Sequence, residues 1–387
     1  TIDMKTKTFI SAITLMATLM ACENSSTQTE LVTIDVESNY PEKELTLQDF
    51  VDVEYVPLET NDEFINKGWV KAVGKNLLAI VNGGGDGDIF LYDRITGKGI
   101  RKINRKGQGG EEYTQITQMV LDEEQNEMFI VDYPRQKIMV YNLEGKYLRN
   151  FSFDENSYYT FVYAYDKKHL IVYKDYYAQP EKSCHALISK QDGKTVREIC
   201  LPYKELESIR YTGMHEKYGE IVAVPAHYLT VPANREWYLA SVSSDTIYRH
   251  LPDGSEQPYM VRTPSIHSMD PEVFLFPKMM TEQYDFLICI TKKMKENFSF
   301  PSYDLIYDKL EKSIHTCIIR NADFEGNNVA LWESSLSPEI ASYRILYAHE
   351  LVEAYENDKL KGRLKEIAST LDEEDNPVIM LMRQKAN

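Results

Sequence analysis

The sequence predicts an all-β protein, a six-bladed β-propeller closed by strands from the two ends of the chain, because one four-strand pattern repeats along it. Two copies lie back to back between Trp69 and Phe153. Each carries a tight turn at the same place, and the turn residues Gly97 and Gly145 are 48 positions apart. Another 48 positions lead to a third such turn at Gly193. Counting whole units gives six blades in preference to five or seven.

The strands of the first three blades follow from apolar runs separated by turn residues. We predict them at 69–74, 76–81, 88–93, 99–103, 116–121, 127–132, 137–141, 146–151, 158–165, 168–173, 184–189 and 195–200. The later turns are more widely spaced, and we assign the excess to insertions at 203–219 and 265–281. The fifth blade is accordingly predicted to begin at Tyr284, with a weak strand near 297–300.

The ends of the propeller are predicted to meet in one blade. Residues 50–56 alternate apolar and polar, which indicates a strand, yet they precede the first whole blade. Ring propellers commonly complete a blade with a strand from the other terminus, since this removes exposed sheet edges. The apolar run 377–383 is the natural partner. Before it, apolar residues three and four apart predict a helical insertion over about 339–371.

The first residues are typical of a processing segment. Met4 to Thr8 is basic, Phe9 to Met20 is apolar but too short to span a bilayer, and Leu19-Met-Ala-Cys22 resembles the lipobox of bacterial lipoproteins. We therefore expect a lipoprotein signal peptide at 1–21, lipidation of Cys22, a flexible tether at 22–44 and the propeller at 45–387. An ordinary cleaved signal peptide with an incidental Cys22 is the alternative.

Charge and cysteine content exclude some classes of function. The formal net charge of −17 argues against nucleic-acid binding, which needs a cationic face. Cys184 and Cys200 stand at opposite ends of a predicted hairpin, so they form a possible disulfide; two separately buried thiols are the alternative. The sequence has no CxxC, so neither a zinc centre nor a redox centre is expected.

Three stretches carry a family resemblance: Gly107-Gln-Gly-Gly-Glu-Glu-Tyr113, Val56-Pro-Leu-Glu-Thr60 and Glu374-Asp-Asn-Pro-Val378. With them, residues 45–385 resemble the six-bladed β-propeller lipoproteins of Bacteroides-type bacteria, relatives of the NHL-repeat proteins. This chain has Gly110 where that family more often has proline. The resemblance implies a cell-envelope location, lipid-anchored at the outer membrane, and it implies no mechanism.

Candidate ligand-binding residues lie on one predicted rim of the propeller. The loops between the second and third strands of each blade share that rim with the links between blades. Tyrosines and arginines around a concave mouth suit polar ligands such as sugars or peptides, although they also serve simply to solvate a rim. The candidates are Arg105, Lys106, Glu112, Tyr113, Tyr133, Arg135, Tyr176, Tyr177, Arg210 and Tyr211.

No recognised catalytic pattern is present. The eight histidines are scattered, and neither HExxH nor GxSxG occurs. The glycine-rich run 82–88 lacks the lysine of a phosphate-binding loop. We therefore expect no cofactor, no metal, and a non-catalytic, envelope-anchored propeller that binds a glycan, a peptide or an envelope protein partner. The alternatives are a lyase or hydrolase at the pore mouth and an assembly scaffold that docks through the helical insertion.

Overall fold

The computed structural model describes residues 31–385 except 84, 234–235 and 332–334. Six β-sheets form a six-bladed propeller, as the sequence predicts. Three strands precede the first whole blade, with a single helical turn, α1 (Leu47–Phe50), before the third: β1 (Val32–Asp35), β2 (Glu42–Thr46) and β3 (Val51–Pro57).

Blades 1 to 3 are four-stranded antiparallel sheets whose strands follow chain order from one edge to the other. Blade 1 contains β4 (Trp69–Val73), β5 (Leu77–Val81), β6 (Asp88–Asp93) and β7 (Gly99–Asn104). Blade 2 contains β8 (Gln118–Asp122), β9 (Glu127–Asp132), β10 (Lys137–Asn142) and β11 (Tyr147–Ser152). Blade 3 contains β12 (Tyr158–Ala164), β13 (His169–Asp175), β14 (Cys184–Ser189) and β15 (Thr195–Ile199).

The second half of the chain adds a hairpin and three blades. The hairpin is β16 (Tyr211–His215) and β17 (Gly219–Ala223). Blade 4 contains β18 (Thr230–Ala233), β19 (Glu236–Leu239), β20 (Thr246–His250) and β21 (Glu256–Thr263). Blade 5 contains β22 (Val273–Met280), β23 (Tyr284–Thr291), β24 (Ser302–Asp308) and β25 (Ser313–Arg320). Blade 6 contains β26 (Ile340–Leu346), β27 (Val378–Gln384) and β3, with α2 (Ala348–Glu356) and α3 (Gly362–Ala368) between β26 and β27.

The two ends of the propeller meet in blade 6, which confirms the predicted closure. Strand β3 pairs antiparallel with β27, from Pro57 opposite Val378 to Val51 opposite Gln384. Around the ring the first strands of the blades lie innermost, where β8 contacts both β4 and β12. A cavity of about 230 Å³ lies among these three strands and residues 335–338. The core fills the spaces between adjacent blades.

The predicted tether at 22–44 is wrong for its last part. Strand β1 runs parallel to β21 and β2 runs parallel to β25, so each adds a fifth strand to a blade. Ile34 and Leu45 are buried there, and the added strands cover sheet edges that would otherwise be open. The predicted signal peptide, the predicted lipidation of Cys22 and the predicted tether over residues 22–30 lie outside the described residues.

The predicted start of blade 5 at Tyr284 is also wrong. Residues 265–281, assigned to an insertion, contain β22, while residues 297–300 lie in the loop between β23 and β24. Nearly every residue of β22 is buried, so its apolar run shows no alternation that would mark a strand. Pro277 sits where the pairing register shifts, a bulge that tolerates a missing N–H.

The helical insertion is shorter than predicted. Ile340–Leu346 forms β26, six of whose seven residues pair with β27, and within the predicted insertion only α2 and α3 are helical. The apolar spacing in 340–346 is compatible with either a helix or a strand, and the segment forms a strand because it pairs with β27. Leu351, Leu364 and Ile367 are buried in a cluster shared with blades 5 and 6. The apolar side of the insertion is therefore already covered.

The repeated turns connect neighbouring blades. Gly97 joins β6 to β7 with φ of +71°, and a Cβ built on it would lie 1.8 Å from the Pro57 carbonyl oxygen in β3. The same left-handed turn recurs in the next three blades at Gly145, Gly193 and Gly254. In blade 5, Lys312 takes the left-handed conformation instead. A Cβ on Gly145 or Gly193 would likewise meet a side chain of the preceding blade, Ile103 or Phe151, so the turns at 48-residue spacing each pack against the blade before.

Candidate ligand-binding rim

Three tyrosines come together between blades 2 and 3. Tyr133 stacks on Tyr158 with ring centroids 4.6 Å apart, and the Tyr158 and Tyr177 centroids are 5.2 Å apart. The hydroxyl oxygens of Tyr133 and Tyr177 are 2.5 Å apart, within hydrogen-bonding distance. Tyr177 is 51% exposed, so the cluster presents an aromatic surface to solvent. We call these three residues the tyrosine cluster.

Separate loops deliver these side chains. Tyr133 begins a short 3₁₀ turn, Tyr133–Arg135, in which Pro134 favours the turn between β9 and β10. Tyr158 is the first residue of β12, and Tyr177 lies in the loop between β13 and β14. Two of the three thus come from loops between second and third strands, on the rim that topology predicts for ligands.

Charged groups flank the tyrosine cluster. The Arg210 guanidinium lies 5.6 Å from the centre of the Tyr177 ring, a cation–π geometry. Burial raises the pKa of the Asp175 carboxyl, while a hydrogen bond from Ser183 and the charge of Arg210 oppose that shift. Burial also raises the pKa of Tyr133 and of Tyr177, so both phenols stay protonated at neutral pH. The site combines ring faces, hydroxyl groups and one cation.

Five of the predicted candidates make hydrogen bonds that stabilise the crossing from blade 1 to blade 2. Tyr113 is fully buried, and its hydroxyl donates to the Gly87 carbonyl oxygen at 2.6 Å and accepts from the Arg105 N–H at 3.0 Å. Arg135 donates to the carbonyl oxygens of Gly109 and Glu112, at 2.9 and 2.8 Å. These bonds hold the glycine-rich run in place.

The remaining two members of that group make local contacts. The Glu112 carboxylate accepts from the Gly109 N–H at 2.7 Å, and Lys106 donates to the Gly85 carbonyl oxygen. These five residues hydrogen-bond within or beside the crossing, so their main role is structural. They are Arg105, Lys106, Glu112, Tyr113 and Arg135.

Tyr176 and Tyr211 lie apart from the tyrosine cluster. The Tyr176 hydroxyl is 3.5 Å from the Asp154 carboxylate, and Tyr211 meets Phe300 edge to face at 6.0 Å between ring centres. Of the ten predicted residues, the structure therefore brings Tyr133, Tyr177 and Arg210 together. Sequence reasoning missed Tyr158 and Asp175. Tyr158 opens an inner strand directly after a loop, a position that was open to inference from the sequence.

Cys184 and Cys200 lie side by side. The pairing of His185 with Ile199 places the two cysteines opposite each other across β14 and the end of β15. Both are free thiols, Cys184 buried and Cys200 exposed, and their sulfurs lie within 4.8 Å. They are therefore not separately buried, and their pairing as a disulfide stays a prediction.

The described residues include no helix that is both long and apolar enough to cross a membrane. Fold and site together define the class: a six-bladed β-propeller whose closing blade combines strands from both ends of the described chain. A family described as a domain of unknown function, DUF4934, matches residues 31–383, and the chain belongs to it.

Two solved structures are similar to the chain. A Bacteroides fragilis protein described as exported is similar over 92% of this chain and 100% of its own, with 14% identity and a TM-score of 0.61. A DUF4221 family member from Bacteroides vulgatus is similar over 87% of this chain and 98% of its own, with 9% identity and a TM-score of 0.45. At 14% identity the first of these likenesses shows the fold alone. No curated protein matches the chain.

Proposed function

We propose that this protein is an exported propeller, anchored in the cell envelope through a lipid on Cys22, that captures a glycan or peptide without transforming it. The observation that carries the proposal is the convergence of Tyr133, Tyr158 and Tyr177 with Arg210 at the rim. The leader-like residues 1–21 and the resemblance to NHL-like outer-membrane lipoproteins support export and anchoring. The structural similarity to a protein described as exported agrees with them.

A glycan fits the site better than a peptide. Sugar rings present C–H faces that pack on exposed aromatic rings, and Tyr177 offers such a ring. The phenol groups supply donors and acceptors for sugar hydroxyls, and Arg210 supplies a cation for a carboxylate-bearing sugar. A peptide would use the same rings with fewer of these polar groups.

Saturable binding tests the proposal. The full chain is titrated with envelope and dietary polysaccharide fragments and with a peptide library, and affinities are measured by calorimetry. Tyr177→Ala is expected to weaken binding about 10-fold, because one stacking surface is lost. Tyr218→Ala is the matched control, since Tyr218 is 59% exposed on the β16–β17 hairpin, outside the tyrosine cluster. Absence of saturable binding, or equal affinity in both variants, would contradict capture at this rim.

Asp175 favours a second candidate, a hydrolase or lyase acting on the same ligand. Its carboxyl is held at a raised pKa beside the tyrosine cluster, and a carboxyl in that state is suited to acid–base catalysis. If the rim is catalytic, incubation with the bound glycan releases shorter products, and Asp175→Asn abolishes the release while the ligand still binds. Intact ligand after prolonged incubation with the native chain supports capture alone.

Anchoring is tested separately from binding. Expressed in a Bacteroides host, the native chain should partition into detergent with the membranes, whereas Cys22→Ala should be recovered in the aqueous phase. An aqueous native protein would overturn the anchor and leave the rim unaffected.

A further inference from the structure

A second group of reactive side chains lies at the outer edge of blade 3, and it shares no residue with the tyrosine cluster. Cys184 begins β14, Cys200 follows β15, and Glu198 lies two residues before Cys200 on the same side of the strand. One ligand atom from each of the three residues lies within 4.8 Å of the other two. The antiparallel pairing of β14 with β15 sets this arrangement.

The spacing matches the size of a tetrahedral metal centre. A zinc ion binds thiolate sulfur at about 2.3 Å and carboxylate oxygen at about 2.0–2.2 Å, so ligand atoms around it stand about 3.3–3.8 Å apart. Three donors within 4.8 Å need only side-chain rotation to reach that geometry. Two sulfurs and one carboxylate suit a thiophilic divalent ion better than calcium or magnesium, which prefer oxygen.

A fixed cation, Lys174, lies beside the group and opposes any gain of positive charge there. The Lys174 Nζ is 2.6 Å from Glu198 Oε1 and 2.9 Å from Asp154 Oδ2, and Lys174 is almost fully buried. Lys174 contacts Oε1 of Glu198, and the carboxylate has a second oxygen that can act as a metal ligand. When one divalent ion binds, the two thiols release two protons. The two positive charges of the metal ion replace those of the two protons, so the net charge of the group does not change.

We infer that Cys184, Cys200 and Glu198 bind one thiophilic divalent cation of the Zn²⁺ class, with water in the fourth position. The site uses other residues than the tyrosine cluster and is a place where the chain holds a metal. Cysteine binds a metal ion as the thiolate. Metal binding must therefore release protons, and the affinity falls as pH falls.

Metal titration of the full chain, purified under reducing conditions, tests this inference. Zn²⁺ affinity is measured against a chromophoric chelator, and Co²⁺ serves as a spectroscopic probe of sulfur ligation. The native chain is expected to bind one ion with a sulfur-to-cobalt charge-transfer band. Cys184→Ser and Cys200→Ser should each weaken Zn²⁺ binding more than about 100-fold, the upper end for loss of a supporting residue. Glu198→Gln should weaken it about 10-fold.

Cys317→Ser is the matched control, because it also removes one partly buried thiol, from β25 in blade 5. It should bind Zn²⁺ like the native chain. Circular dichroism of every variant separates a lost ligand from a lost fold. Equal Zn²⁺ affinity in the native chain and in Cys184→Ser would overturn the inference. So would a disulfide between Cys184 and Cys200 in protein isolated from cell envelopes without reductant, found by peptide mass spectrometry.

Discussion

At the scale of single residues, Gly97 shows why the turn between β6 and β7 needs glycine. Its φ of +71° costs an ordinary residue about 1–2 kcal/mol, and a Cβ there would overlap the Pro57 carbonyl oxygen at 1.8 Å. That oxygen belongs to the closing strand β3, which has little freedom to move away. The glycine therefore serves the contact between blade 6 and blade 1.

Gly97→Ala is expected to lower the free energy of unfolding by more than about 3 kcal/mol, since backbone strain and steric overlap both apply. Urea denaturation followed by tryptophan fluorescence measures the loss. Gly326→Ala is the control: its φ is +76°, but nothing lies within 4 Å of its Cβ position, so only about 1–2 kcal/mol should be lost. Equal losses would show that the contact with Pro57 is unimportant.

His185 makes stability depend on pH at the same scale. It is almost fully buried, its Nε2–H donates to the Leu229 carbonyl oxygen at 2.9 Å, and burial lowers its pKa to about 4. The unfolded chain takes up this proton near pH 6.5, while the folded chain resists until about pH 4. Stability is thus fully present above pH 6.5 and falls between pH 6.5 and 4.

The contribution of His185 to that fall is roughly 3 kcal/mol, from the difference between the two pKa values. Chemical denaturation at several pH values in this window should show the decline in the native chain. His185→Gln, which has no proton to gain, should show a decline smaller by that amount. Parallel curves for the two proteins would mean that His185 titrates normally in the folded chain.

At the scale of elements, Asn376 joins the residues just before β27 to the segment that follows β3 by hydrogen bonds. Its side-chain oxygen accepts from the Asn66 N–H at 2.9 Å, and its amide donates to the carbonyl oxygens of Glu59 and Phe64, at 2.8 and 2.6 Å. The residue is buried, so these backbone groups have no easy replacement partner. The Glu374–Val378 stretch that carries the family resemblance thus has a structural role.

Asn376→Ala is expected to lower the free energy of unfolding by about 2–4 kcal/mol, because buried backbone groups lose their partner. The neighbouring Asp375 accepts one hydrogen bond, from the Asp372 N–H at 2.9 Å, in an exposed turn. Asp375→Ala should cost less than about 1 kcal/mol. The idea fails if urea denaturation finds the two variants equally stable.

At the scale of the whole molecule, the ring depends on β3 more than on β1. Without β3, blade 6 keeps only β26 and β27, and the edge of β27 lies open. Without β1, blade 4 still has four strands. Strands β1 and β3 therefore differ in their importance for the closed ring, although each is the edge strand of its sheet.

Truncation tests that difference. A chain beginning at Glu42 should still unfold in one cooperative transition, at a reduced midpoint. A chain beginning at Asn61 lacks β1, β2 and β3 and should show no cooperative transition. Circular dichroism during heating and size-exclusion chromatography measure both outcomes. Cooperative unfolding of the shorter chain would show that the ring closes without its shared blade.

Local patterns in the sequence determined the blade repeat, the turn positions and the meeting of β3 with β27. These features follow from alternation and turn chemistry over a few residues, which act wherever the segment lies. The same patterns were misleading at β22, where burial on both faces removes alternation, and at β1 and β2, whose few apolar residues resemble those of a linker.

Only the tertiary structure decided which side chains meet. The tyrosine cluster joins residues from two blades, and Arg210 reaches it from the link to a third. The group of Cys184, Glu198 and Cys200 depends on the register between β14 and β15, because a shift of one residue would turn a strand's side chains to the other face. The contacts of the tyrosine cluster depend on how the blades close around a ring, a property of the whole chain that no local stretch encodes. Cys184 and Cys200 meet within one hairpin, and for that reason the sequence already indicated their proximity.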